Sequence, residues 1–364
     1  MALSRSFLKV FVSQSFVIML SVTAPVMANA SQWDGPLNGI SDQVIANGYQ
    51  SYARSAALLQ ESSEALCARP SESALLNTRE AFKNNALDWQ KVQWLNFGPV
   101  TYFMRYYAFE YWPDKKGITQ RQLRSMAQAD PATMDSEDFW QKASIAVRGL
   151  TAIESLLYHP DFSPLTSIQD CHLLANVTEH HALSAMDVNR QWQTGHAEDW
   201  VFAADEADLD TKKLALEAFL LQWIEHIGMT KDAKLETPLG YHGNENLKLA
   251  EFYRSHLSLQ AIQTNLQSYR AIYHAGSPSL FDIAQQSQPE LAIQLEKQLT
   301  LSLKMALRLP ETLLHPDQAH VDQQTSRRDQ VQPLVTSLSR SQAYLSQLVT
   351  ALGFQIGFNS RDGD

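Results

Sequence analysis

Cysteine is almost missing from this chain: 364 residues hold two, Cys67 and Cys171. Two thiols so far apart make a poor metal or redox pattern. In an oxidising compartment they most simply form one disulfide. It would close a loop of roughly 100 residues, for which the chain-entropy model gives up to ~4–5 kcal/mol. Glycine and proline are also scarce, at 14 each, which is too few for a many-turned all-β protein. Positive charge is in deficit, with 29 Lys and Arg against 39 Asp and Glu. A chain this acidic lacks the basic face that broad nucleic-acid binding needs. Gly-x-Ser-x-Gly, P-loop, Gly-x-Gly-x-x-Gly and His-Glu-x-x-His patterns are all absent. Apolar residues are not lacking: at 45% of the chain they exclude general disorder.

Long apolar runs occur only at the start. Arg5 and Lys9 precede Val10-Phe11-Val12 and Phe16-Val17-Ile18-Met19-Leu20, and the stretch ends Ala28-Asn29-Ala30. Basic, apolar and then small-x-small is the order of a secretory signal peptide, here cleaved after Ala30. The alternative is a membrane anchor, but Ser13, Gln14 and Ser15 split a run that is already short for a span. No Cys stands at the cleavage site to take a lipid. The expected product is a soluble, exported chain with no membrane span, more acidic still because the leader holds two bases and no acid.

Helical periodicity dominates the remainder of the chain. It predicts helices over 41–67, 72–96, 136–158, 171–194, 210–230, 244–274, 288–309 and 326–352. Ser71 is the expected N-cap of the second, and Asn244 that of the segment it opens. Residues 101–112 are short and aromatic, and Trp112 to Gly117 reads as a turn. Thr119 is the expected cap of a short helix ending near 129. No alternating strand of useful length is present. The fold class is therefore all-α. Two sets of four to five helices suggest two packed helical bundles, with a boundary near 195–210: residues 31–200 after the leader at 1–30, then 201–364.

One residue breaks the pattern of helix 136–158. On a wheel of 100° per residue, Phe139, Ala143, Leu150, Ile153 and Leu157 share an apolar stripe, and Glu154 falls inside it. A buried carboxylate must find a partner or keep its proton. Thr151 lies close by on the same face, and Gly149 lets another backbone approach. Seven aromatics crowd 101–112, with Arg105 and Glu110 among them. Arg105 is a candidate counter-ion for Glu154, although such a segment is more often core than ligand box. Glu179-His180-His181, with His172, lacks the spacing of a helical zinc site, and these histidines are expected on solvated faces. The sequon Asn176-Val177-Thr178 lies in a predicted helix and is read as chance.

Four motifs in order, Trp-x-x-Val-Gln (89–93), Phe-Gly-Pro (97–99), Trp-Pro-Asp-Lys-Lys-Gly (112–117) and Gly-Leu-Thr-Ala-Ile-Glu-Ser-Leu-Leu (149–157), resemble the imelysin family. More narrowly, they resemble its periplasmic, iron-regulated branch. The resemblance implies two packed helical bundles with a site at their junction. The family hallmark is Gly-x-His-x-x-Glu, whose His and Glu are its metal ligands. Here Gly149 and Glu154 are kept, and Thr151 stands at the histidine position, where a hydroxyl is a poor substitute for imidazole. The family is named for an insulin-cleaving metallopeptidase. The departure at Thr151 points instead to a non-catalytic binding or accessory protein of iron or other metal uptake. Its expected site is Gly149, Thr151, Glu154, Arg105, Trp112, Asp114 and Lys115. The cofactor implied is at most a metal ion, iron or zinc, and the partners are a small ligand, a metal or other envelope iron-uptake proteins. The alternatives are an imelysin-type metallopeptidase and an envelope interaction protein with a silent site.

Overall fold

Long helices form where apolar residues recur every third or fourth position. The computed structural model describes residues 32–200, 211–317 and 326–355. The expected signal peptide and its cleavage site lie outside the described residues, as does much of the expected 195–210 boundary. Helix α1 (Asn47–Ala68) continues from a π-helical turn, Ile40–Ala46. Helix α2 (Glu72–Val92) is capped by Ser71, whose hydroxyl accepts from the Ala74 amide at 3.1 Å, as the sequence predicts. Helices α3 (Leu150–Tyr158) and α4 (Ile168–Thr194) complete a first set, with α1 packed against both α2 and α4. The second set is α5 (Thr211–Met229), α6 (Ser258–His274), α7 (Pro289–Ala306) and α8 (Arg327–Ala351). In it α6 and α8 pack on α7, and α5 packs on α8. Contact between α6 and α2 joins the sets. The fold is all-α, and no strand occurs among the described residues beyond an isolated bridge between Gly276 and Ser279. None of the described helices is long and apolar enough to cross a membrane.

Cys67, in the last turn of α1, and Cys171, in the first turn of α4, form the expected disulfide, with Cα atoms 5.5 Å apart. Towards the other end of α1, Tyr52, Trp89 and Phe109 pack edge-to-face or tilted in the core. His181 belongs to that core rather than to a solvated face. It is buried and lies 3.1 Å from the Tyr52 hydroxyl and 2.9 Å from Asn85 Oδ1. Burial pushes its imidazole down to about 3, so it stays neutral. His180 stacks on Trp140, and His172 lies 2.7 Å from an Asp135 carboxylate oxygen.

Two long predicted helices are broken, and both breaks build the site. Residues 136–158 divide into Glu137–Lys142, a 3-10 turn Ile145–Val147, and α3. Gly149 is extended at the break, and a Cβ there would lie 2.1 Å from the Ala108 carbonyl oxygen and 2.3 Å from that of Phe109. That backbone crossing ends any continuous helix, so a wheel phased from Phe139 does not carry through to Glu154. The carboxylate is buried for another reason: every residue of α3 from Leu150 to Leu157 is buried, as in a helix enclosed on all sides. The predicted helix 244–274 begins only at Ser258. Before it come a 3-10 turn, Leu247–Leu249, capped by Asn246 rather than Asn244, and a loop with positive φ at Phe252 and His256. Thr119 is not a cap either. It lies inside the helix Ile118–Met126, whose first amides donate to Asp114: Ile118 N to Oδ1 at 2.8 Å and Thr119 N to Oδ2 at 2.9 Å.

Candidate functional site

Glu154 is 2% exposed, and the loop before α6 closes over it. Its Oε1 accepts from the Ser255 amide at 3.0 Å and the Ser255 hydroxyl at 2.7 Å. Arg254 is its counter-ion, with Nη1 3.5 Å from Oε2. Burial raises the carboxyl above its usual range, and Arg254 and Ser255 only partly offset that. Arg105 does not take the expected place. It pairs with Asp187 in a separate cleft and stacks on Phe103, with 5.2 Å from guanidinium to ring centroid. The sequence conceals Arg254 because the segment carrying it reads as helix, and only the positive-φ turns aim residues 251–255 back towards α3.

Thr151, Trp112, Asp114 and Lys115 gather with Glu154 around one cleft of about 220 Å³. Gly149 does not line it; its place is the backbone crossing with Ala108 and Phe109. The Trp112 indole donates to the Leu249 carbonyl at 3.1 Å, tying the 112–117 turn to the loop before α6. Asp114 is occupied by its helix cap. Lys115 and Lys248, both exposed, stand on the rim without an ion pair among the described residues. The cations without an ion pair at this cleft are thus the two lysines, and the acids that share its lining with them besides Glu154 are the capped Asp114 and the buried Glu110.

Behind it lies a buried polar cluster of which the sequence signals only the Trp-x-x-Val-Gln part. Lys234, 1% exposed, reaches Gln90 Oε1 and Gln93 Oε1 at 2.6 Å, Asn265 Oδ1 at 2.7 Å and Glu251 Oε2 at 2.8 Å. A lysine is normally on the surface. This one is turned inward by the π-helical segment Thr230–Glu236, which follows α5 and shifts the helix face. Glu110 Oε2 accepts from Trp89 Nε1 at 2.8 Å and from Gln93 Nε2 at 2.9 Å. The Trp-x-x-Val-Gln motif is thus explained: positions four apart share one helical face, and both grip the same carboxyl. Burial first, then the neighbouring Glu251, pushes Glu110 well above the carboxylate range, against the pull of Lys234 and the Trp89 bond. Gln93 also donates to Glu251 Oε1 at 2.8 Å and lies 3.2 Å from His226 Nε2. Burial and Lys234 hold His226 well below its ordinary value, hence neutral.

A resident metal ion is tested by these donors, and they do not fit one. No group of three or more His, Cys, Asp or Glu that could hold a metal occurs among the described residues. Glu154 is engaged by Ser255 and faces a cation, and Thr151 supplies only a hydroxyl.

The molecule is thus an all-helical protein with a buried, hydrogen-bonded carboxylate at a cleft rimmed by two lysines. The family model described as imelysin matches residues 45–345, and the chain belongs to the imelysin family. Two solved structures share the fold. An imelysin-like protein from Psychrobacter arcticum has a TM-score of 0.75 at 21% identity, covering 88% of this chain and 96% of its own. A protein from Parabacteroides distasonis, described as a putative iron-regulated protein A precursor, has a TM-score of 0.68 at 14% identity, covering 90% of this chain and 97% of its own. No curated protein matches the chain.

Proposed function

We propose that this protein is an exported, periplasmic, non-catalytic binding protein of its family, serving iron or other metal acquisition. The ligand site is the Glu154 cleft, at the junction of an N-terminal bundle (31–200) and a C-terminal one (201–364). The family-level link to iron rests on family membership and on the iron-regulated description of the Parabacteroides protein. One observation carries the choice of ligand: Glu154 is already neutralised by Arg254, while Lys115 and Lys248 stand unpaired on the rim. Such a cleft favours an anion, so a metal arrives in an anionic chelate rather than as a bare ion. Peptidase chemistry is not assigned, because Thr151 cannot replace an imidazole ligand in generating a metal-bound hydroxide.

Calorimetric titration of the mature protein tests this. Ferric citrate is expected to bind, with affinity reduced in Lys115→Gln and Lys248→Gln but not in Glu154→Ala, which frees Arg254, and salts of iron, zinc and copper are expected to bind weakly or not at all. Tight binding of a bare ion, lost in Glu154→Ala, would overturn it.

A further inference from the structure

A second cleft of about 480 Å³ opens on the other side of Glu110 and Trp112, and its chemistry is opposite to that of the first. Five aromatic rings line it: Trp89, Trp94, Tyr106, Tyr107 and Trp112. No lysine or arginine does. Two further carboxylates face it. Asp232 is paired with Lys231, but Glu225, half-buried on α5, makes no hydrogen bond or ion pair among the described residues. A half-buried carboxylate without a partner is costly unless something else satisfies it. An aromatic wall with one free carboxylate and no competing cation suits a positively charged organic group, which gains from both the ring faces and the counter-charge. A neutral sugar could stack on the same rings, but it would leave Glu225 without a counter-ion.

We propose that this cleft binds an organic ammonium ion, its charged head beside Glu225 and its apolar body against the aromatic wall. The site is separate from the Glu154 cleft, and neither proposal depends on the other.

The test uses the mature protein and follows indole fluorescence and heat on titration with choline, phenethylammonium and spermidine. Uncharged phenethyl alcohol and the neutral sugar maltose serve as comparisons. At least one ammonium probe binds saturably, and phenethylammonium is preferred over the alcohol by about tenfold, which corresponds to 1.4 kcal/mol. In Glu225→Gln, which removes charge without breaking a hydrogen bond or ion pair among the described residues, that preference disappears. Tyr107→Ala, at the exposed edge of the cleft, weakens binding several-fold. Circular dichroism confirms that both variants are folded. The proposal is overturned if no ammonium probe binds, if the alcohol or maltose binds as well as the cation, or if Glu225→Gln keeps the full preference.

Discussion

Replacing Glu154 with Gln separates a structural ion pair from a site held for a ligand. At 3.5 Å from Arg254, and with an effective dielectric near 20, the gross attraction is about 4–5 kcal/mol. Opposing it is the desolvation of both ions, several kcal/mol each. The direction of the Glu154 pKa decides the balance: it is raised, so burial outweighs Arg254 and both Ser255 bonds together. At neutral pH the ionised carboxylate is therefore a net liability. Gln keeps an oxygen for the Ser255 amide and hydroxyl and carries no charge. Its stability at pH 7 should lie within about 1 kcal/mol of wild type, where breaking a net-stabilising buried pair would cost about 3–5 kcal/mol. The pH dependence has a definite sign. A folded-state pKa above the unfolded value of about 4.3 contributes stability that is full below that value and is lost as pH rises through the folded one. The advantage of wild type over Glu154→Gln should thus be largest near pH 4 and vanish or reverse by pH 7. Urea melts of both proteins at the two pH values measure it. A loss above about 3 kcal/mol at pH 7, or a wild-type advantage that grows with pH, would refute the reasoning.

Other parts of the fold can be perturbed in the same way. Cys67→Ser with Cys171→Ser should lower unfolding free energy by up to ~4–5 kcal/mol, and a reducing agent should shift the wild-type urea midpoint the same way while leaving the double variant unmoved. Gly149→Ala drives a methyl into the Ala108 and Phe109 carbonyls, so it should cost about 3 kcal/mol or more, read as a drop in melting temperature; a neutral result would mean that the crossing is looser than described. Lys234→Met strands Glu251 in the interior and should cost about 3–5 kcal/mol, much of it recovered when Glu251→Gln is added. Homogeneous mature protein should not cleave insulin or casein, and chelator-sensitive cleavage abolished by Glu154→Gln would show otherwise.

The all-α class, the long helices and the Cys67–Cys171 bond are legible in the sequence because each obeys a local rule: period 3.6, a Ser at an N-cap, an even pair of thiols in a chain that opens with the pattern of a secretory leader. Glu154 is legible as a carboxylate in an apolar run, though a wheel that singles it out assumes a helix that Gly149 interrupts. Its partners are not legible. Arg254 and Ser255 occupy a loop whose composition is helical, and the turns at Phe252 and His256 depend on left-handed φ at residues that rarely adopt it. Lys234 is hidden by a change of helical period, which no fixed-period reading detects. Arg105 is misassigned from sequence because nearness in an aromatic segment says nothing of the side it faces, and its acid, Asp187, lies on α4.

The side-chain amide of Gln93 serves four neighbours at once. Its oxygen faces Lys234 and His226, and its nitrogen faces Glu110 and Glu251. Only one of the two orientations of the amide works, so the group acts as a polarity marker for the whole interior. Hydrolysis of that amide to a carboxylate, a slow ageing reaction of proteins, would set an acceptor against Glu110 and Glu251 and put a second acid against Lys234. Because Glu110 forms part of both clefts, a single chemical lesion at a residue that touches solvent hardly at all would disturb the two together. The shape of both clefts thus hangs on the chemical survival of one amide, which itself lines the larger of the two.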